Sequence, residues 1–199
     1  MKCRNPLFFD LSPLHDEDIR KDRSELPDML ADYLTGSEIP FTNRDNIRQK
    51  ILKFLIEEKG YLKTDLSVDR PIRFEIDGSA VESLVDIEIR LDNKTLILFK
   101  CASGSLVSRE RQIIASARLL EDYVVPFAVV TNGEDLELLD SSSEKVIGSG
   151  FTPVPSRQEL IKISGEVSLK TTNKKKICNE QRILYAYDSI SCPAECKDS

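Results

Sequence analysis

Ten residues, "KTLILFKCAS" at 94–103, place apolar side chains on both faces of an extended strand. A strand of that kind needs cover on both sides, as the central strand of a helix-flanked sheet has. "VPFAVVTNG" at 125–133 is a second buried strand, closing on the turn pair Asn132-Gly133. Between them "SRERQIIASARLLEDY" reads as a helix, with Ser108 as the expected N-cap and Ile113, Ala117 and Leu120 turned inward.

The upstream elements agree with that centre. Ile47, Ile51, Phe54 and Leu55 recur on one helical face, with Asn43 or Asp45 as cap and Gly60 as the stop. "PIRFEIDG" alternates and ends at Asp77-Gly78. In "SLVDIEIRLDN", Val85, Ile87 and Ile89 face one way and Asp86, Glu88 and Arg90 the other. Downstream, "DLELLDSSSEKVIGSG" reads as a hairpin, and Ser156 with Glu159 has capping-box spacing before a short helix. A polar linker at 165–176 leads to a last helix from Asn179. The order implies an α/β fold with a mixed sheet flanked by helices. Residues 1–40 form an extension in which Met29, Leu30, Tyr33 and Leu34 make a helical stripe, residues 41–165 the core, and residues 166–199 a linker, C-terminal helix and Cys-containing tail.

With 199 residues, 40% hydrophobic and 31% charged, the chain suits one domain with appendages. A net charge of −6 argues against tight, non-specific nucleic-acid binding. The Lys174–Lys176 run is the exception, and a solvated face is its ordinary explanation. No apolar run is long enough to span a membrane, and the first residues soon turn acidic, so a cytoplasmic protein is expected. His15 is the single histidine, which excludes Ser-His-Asp and His-rich metal chemistry.

The "RQKILKFLIEEKGY" helix, the "VDIEIRLDNKTLILFKC" strand pair, the "RERQIIASARLL" helix and "PFAVVTNGEDLELLD" follow one another at characteristic separations. Together they resemble the N-terminal nuclease domain of type I restriction enzyme R subunits, the HsdR N-terminal family. That family belongs to the PD-(D/E)xK, restriction-endonuclease-like superfamily. The resemblance runs from about Arg44 to Gly150 and implies a restriction-endonuclease-like core. It also implies Mg²⁺ held by an Asp on one strand and a Glu on the next, with a Lys two residues on assisting the attacking water.

Asp86 matches the first acid. Where the family's next strand ends in a Glu-Cys-Lys type of sequence, this chain reads Lys100-Cys101-Ala102. A signature Gln-x-x-x-Tyr is half kept, as Gln112 followed by Ser116. One reading is that the Lys100 ammonium replaces the metal beside Asp86. The other is that an acid has migrated, to Glu88, Glu75, Glu57 or Glu58, and that Asp86, Glu88 and Lys100 still form a catalytic set.

Ser103, Gly104 and Ser105 make a small-residue loop before a helix, where backbone N–H groups can meet a phosphate. Arg109 and Arg111 bring positive charge to the first turn, against the helix dipole, which points to an anionic partner or to local salt bridges with Glu110 or Asp122. Cys3, Cys178, Cys192 and Cys196 flank the core in a layout that resembles RecB-type nucleases whose cysteines hold an iron–sulfur cluster. Thiolates suit that cluster or Zn²⁺ equally, and Cys178 is expected at the start of the last helix, where its thiol pKa would fall.

Three functions follow. The leading one is a nuclease-related, nucleic-acid-interacting protein with a degenerate site, which positions DNA or serves as a subunit of a restriction, repair or defence complex. The second is an active Mg²⁺-dependent endonuclease, for which a homodimer would serve to cut both strands. The third is a protein-interaction scaffold.

Overall fold

The computed structural model describes residues 28–166, 169–172 and 174–191. Six strands form one mixed sheet in chain order: β3 (Leu66–Ile76), β4 (Ser79–Leu91), β5 (Lys94–Cys101), β6 (Phe127–Thr131), β7 (Leu136–Asp140) and β8 (Lys145–Ser149). All neighbours are antiparallel except β5 and β6. Those two are parallel because α2 (Val107–Leu119) carries the chain between them, as a parallel pair requires.

Each face of the sheet has its own core. α1 (Asn43–Glu57) lays Ile47, Ile51, Phe54 and Leu55 on one face, against Ile87, Ile89, Ile97 and Phe99. α2 and α4 (Lys174–Ser191) cover the other, where Ile113, Ile114, Ala117 and Leu184 meet Leu98, Val130 and Leu139. β5 thus supplies both cores, which is why its centre, Leu96–Phe99, is apolar on both faces. α3 (Arg157–Glu166) adds Leu160 to the first core, and its capping box is formed, the Ser156 N–H donating to Glu159 Oε2 at 2.7 Å.

Several expectations at element ends are corrected. Thr42 caps α1, accepting from the Asp45 N–H at 2.9 Å, in place of Asn43 or Asp45. Ser108 lies within α2, where its hydroxyl donates to the Ser105 carbonyl, and Leu106 is the cap residue. α4 begins at Lys174 and takes in the lysine run, so Cys178 stands beyond the first turn, where the dipole has faded.

The expected helical stripe at Met29–Leu34 is a hairpin of β1 (Met29–Ala31) and β2 (Glu38–Pro40). Asp32 makes the difference: its Oδ1 accepts from the Leu34 and Thr35 N–H groups and winds a turn that Gly36 completes at φ +77°. Tyr33 and Leu34 still pack on the first core, from a turn and not from a helix. Residues 1–27 lie outside the described residues, as do Cys3, Cys192 and Cys196.

Candidate active site

The β4–β5 ladder ends at the pair Ile87–Phe99. One step further the strands part, and the Cys101 N–H donates to a side chain, Asp86 Oδ2 at 2.6 Å. Asp86 is fully buried at this fork. Its other oxygen, Oδ1, accepts from Arg44 Nε at 2.5 Å, and Lys100 Nζ lies 3.5 Å from Oδ2 and 3.5 Å from the Leu84 carbonyl oxygen.

Arg44 comes from the first turn of α1 and also holds a second acid. Its Nη2 donates to Asp69 Oδ1 at 2.5 Å, while Arg48 Nη1 donates to Asp69 Oδ2 at 2.5 Å. Arg48 Nη2 in turn pairs with Asp45 at 2.6 Å. The β3–β4 register sets Val68 opposite Ile87 and Arg70 opposite Val85, which leaves Asp69 opposite Asp86. Like charges so placed repel across a ladder, and the guanidinium between them removes the conflict.

Asp69 has φ +52°, a left-handed residue within a strand. The apolar sets change face there: Leu66, Ile87 and Ile89 join the first core, but Ile72 and Val85 the second. The alternation read from the sequence, with Val85 beside Ile87 and Ile89, breaks at this kink.

Arg44, Arg48 and Lys100 therefore stand against Asp45, Asp69 and Asp86, three charges on each side. Burial opposes the Arg44 charge, but Asp86 and Asp69 outweigh it and push the guanidinium pKa up. Mg²⁺ requires open oxygen ligands in near-octahedral geometry. Here both Asp86 oxygens are taken, the second acid is a lysine, and Asp69 is held by two arginines. These residues do not fit a Mg²⁺ ion. Among the described residues no group of three or more His, Cys, Asp or Glu is placed to hold any metal.

Migrated acids fare no better. Glu88 is buried but accepts from Thr95 Oγ1 at 2.5 Å, with Arg90 Nε at 3.7 Å and Arg70 Nε at 3.9 Å. Glu75 pairs with Ala80 near the hairpin tip, about 20 Å along β3 from Asp69. Glu57 and Glu58 lie at the far end of α1, about 20 Å from Arg44.

Ala102 donates its N–H to the Thr131 carbonyl oxygen and adds no polar side-chain group. Gln112 donates to Asp188 Oδ1 of α4 at 3.3 Å, and the Ser116 hydroxyl bonds back to the Gln112 carbonyl. Cys101 is buried, and burial followed by the Asp86 charge pushes its thiol well above the usual range.

The Ser103–Gly104–Ser105 loop is exposed, with Gly104 at φ +94°. Arg109 is half-buried, its guanidinium 6.0 Å from the centre of the Tyr187 ring. Arg111, half-buried, is committed to the fold, Nη2 donating to Glu180 Oε2 of α4 at 2.5 Å in place of the expected Glu110 or Asp122. Glu180 is buried and also accepts from Arg118 at 2.8 Å, so it clamps α4 to α2. Cys178 is an exposed free thiol.

Sequence reasoning missed Arg44, Arg48 and Asp69. The available signal was the pair of arginines one helical turn apart, with Asp69 just before the strand expected to begin at Pro71.

A family model described as type I restriction enzyme R protein N terminus (HSDR_N) matches residues 43–155, from the start of α1 to the approach of α3. No curated protein and no solved structure matches the chain.

Proposed function

Because the chain belongs to the family of type I restriction enzyme R protein N-termini, we propose that it is a nuclease-derived module that contacts nucleic acid without cutting it, within a restriction, repair or defence assembly. The observation that carries the reading is the state of Asp86. Its carboxylate is buried and saturated by Arg44 and the Cys101 N–H, and Lys100 stands where a second acid is needed. The charge a divalent ion would supply is resident in the chain.

Nucleic-acid contact rests on the exposed Ser103–Gly104–Ser105 loop at the N-terminal end of α2, flanked by Lys100 and Arg109. Arg111 belongs to the fold and takes no part. Anisotropy of a short fluorescein-labelled duplex tests the reading. Binding should weaken with salt and stay unchanged in EDTA, and the duplex should be recovered intact. Mg²⁺-dependent binding or cut product would sink it, and no binding at all would leave the scaffold role.

One observation favours the alternative, an active endonuclease. Asp69 and Asp86 converge on one guanidinium, so withdrawal of Arg44 would bring two acids face to face.

A further inference from the structure

We infer that the cleft between the C-terminal end of α2 and the N-terminal end of α4 binds phosphate groups, a site separate from the Asp86 fork. Residues 167–178 carry four lysines and no acid, in a chain whose net charge is −6. The fold brings Lys170, Thr171, Thr172 and Lys176 of that stretch to one cleft. The Val124 N–H donates to the Lys170 carbonyl at 2.8 Å, and Thr171 bridges Tyr123, which pins the segment to the loop after α2.

The resulting cleft, about 310 Å³, is lined by Lys170, Lys176, Arg118, Ser142, Thr171 and Thr172. It contains no acidic residue in its lining. Arg118 is already neutralised by Glu144 and Glu180, at 2.7 and 2.8 Å. Lys170 and Lys176 form no ion pair among the described residues; Glu144, paired with Arg118, is the acid whose charge Lys176 feels, so cations outnumber acids at the cleft. A second cleft of about 550 Å³ shares Val124, Ser142 and Lys170 with it and leaves room for the rest of a phosphate-bearing molecule; it adds one acid, Asp140, whose Oδ1 accepts from the Ser143 N–H at 2.6 Å.

The helix end reinforces the point. Lys174, Lys175 and Lys176 fill the first turn of α4 without an acid, where the helix dipole disfavours cations and favours an anion. A phosphate in the cleft would meet Lys170, Lys176 and neutral hydroxyl donors together. The cleft and the Ser103–Ser105 loop stand at opposite ends of α2, about 20 Å apart. That distance is within reach of two phosphates of one duplex. A nucleic-acid backbone as the source rests on the function proposed above; a free oligophosphate does not.

The test uses the full chain and the variant Lys170→Gln/Lys176→Gln, with Lys53→Gln/Lys94→Gln as a control. In one arm the salt dependence of duplex binding is measured; in the other, pyrophosphate is titrated and the Thr171 and Thr172 amides are followed by NMR. The cleft variant should lower the salt slope by about 2 and the control should not. Pyrophosphate shifts in the wild type that vanish in the cleft variant, with no duplex binding, would keep the site for free phosphates and reject the nucleic-acid reading. Wild-type duplex binding with an unaltered slope in the cleft variant, and no pyrophosphate response, would overturn the inference and leave that reading standing. An equal slope change in the control would also overturn it.

Discussion

Arg44 holds Asp86 and Asp69 at once, Nε on one carboxylate and Nη2 on the other, both at 2.5 Å. It joins the first turn of α1 to β4, which carries Asp86, and to β3, which carries Asp69. The contact is therefore a brace as well as a counter-charge. Arg44→Met should destabilise by about 2–4 kcal/mol, because Asp86 stays buried with Lys100 as its one remaining ion pair beside the Cys101 N–H. A urea double-mutant cycle with Asp86→Asn checks this. The double variant should be more stable than the sum of the single losses by at least about 1 kcal/mol; simple additivity would disprove the coupling.

Asp69 combines a charge role with a backbone role. Asn tolerates the left-handed conformation and Ala does not, so Asp69→Ala should cost about 1 kcal/mol more than Asp69→Asn. Chemical denaturation of the two variants measures the difference, and equal losses would mean the kink carries no strain.

Glu180 binds α4 to α2 through Arg111 and Arg118. Glu180→Gln takes the ion pair from Arg111 and leaves Arg118 with Glu144 alone, and should cost about 3 kcal/mol. Hydrogen exchange should show α4 amides losing protection before those of β5. Uniform loss across the sheet would show that α4 is not a separable layer.

Burial, the neighbouring Glu110 and then Asp135 raise the Glu137 pKa. A carboxyl whose pKa rises on folding contributes its full stability below its unfolded value and loses it as pH climbs through the folded one. At neutral pH the charged form is a cost, so Glu137→Gln should raise Tm by about 2 °C at pH 7 and give no gain near pH 4. An equal gain at both pH values would point to packing instead.

The two described cysteines should differ in reactivity. Cys101 is buried with a raised thiol pKa, whereas Cys178 is exposed. Peptide mapping after brief alkylation of the native protein should find Cys178 modified and Cys101 untouched. Modification of Cys101 in the folded chain would mean that the strand fork opens.

Much of this fold is legible locally. The α1 stripe at Ile47, Ile51 and Leu55, the two-faced apolar β5 and the capping box at Ser156 depend on periodicity and short-range hydrogen bonds. The turns do too: Asp77-Gly78 and Asp92-Asn93 both adopt positive φ, as tight hairpins require. The loss of the Glu-x-Lys pattern at Lys100 and Ala102 was equally visible. Its structural consequence was not, because Arg44 meets Asp86 across 42 residues of sequence. A charged residue in a first helical turn looks solvent-facing until the fold brings it to a buried acid. The Met29–Leu34 stripe misled for the opposite reason, since Asp32 wins the local contest for the backbone N–H groups and makes a turn.

The central claim is that resident cations have closed the nuclease centre around Asp86. Incubating supercoiled plasmid with the wild-type chain and with Asp86→Ala, in Mg²⁺ and in Mn²⁺, tests it most directly. The account expects plasmid to stay supercoiled with both proteins and both metals. Nicking by the wild type that Asp86→Ala abolishes would contradict it.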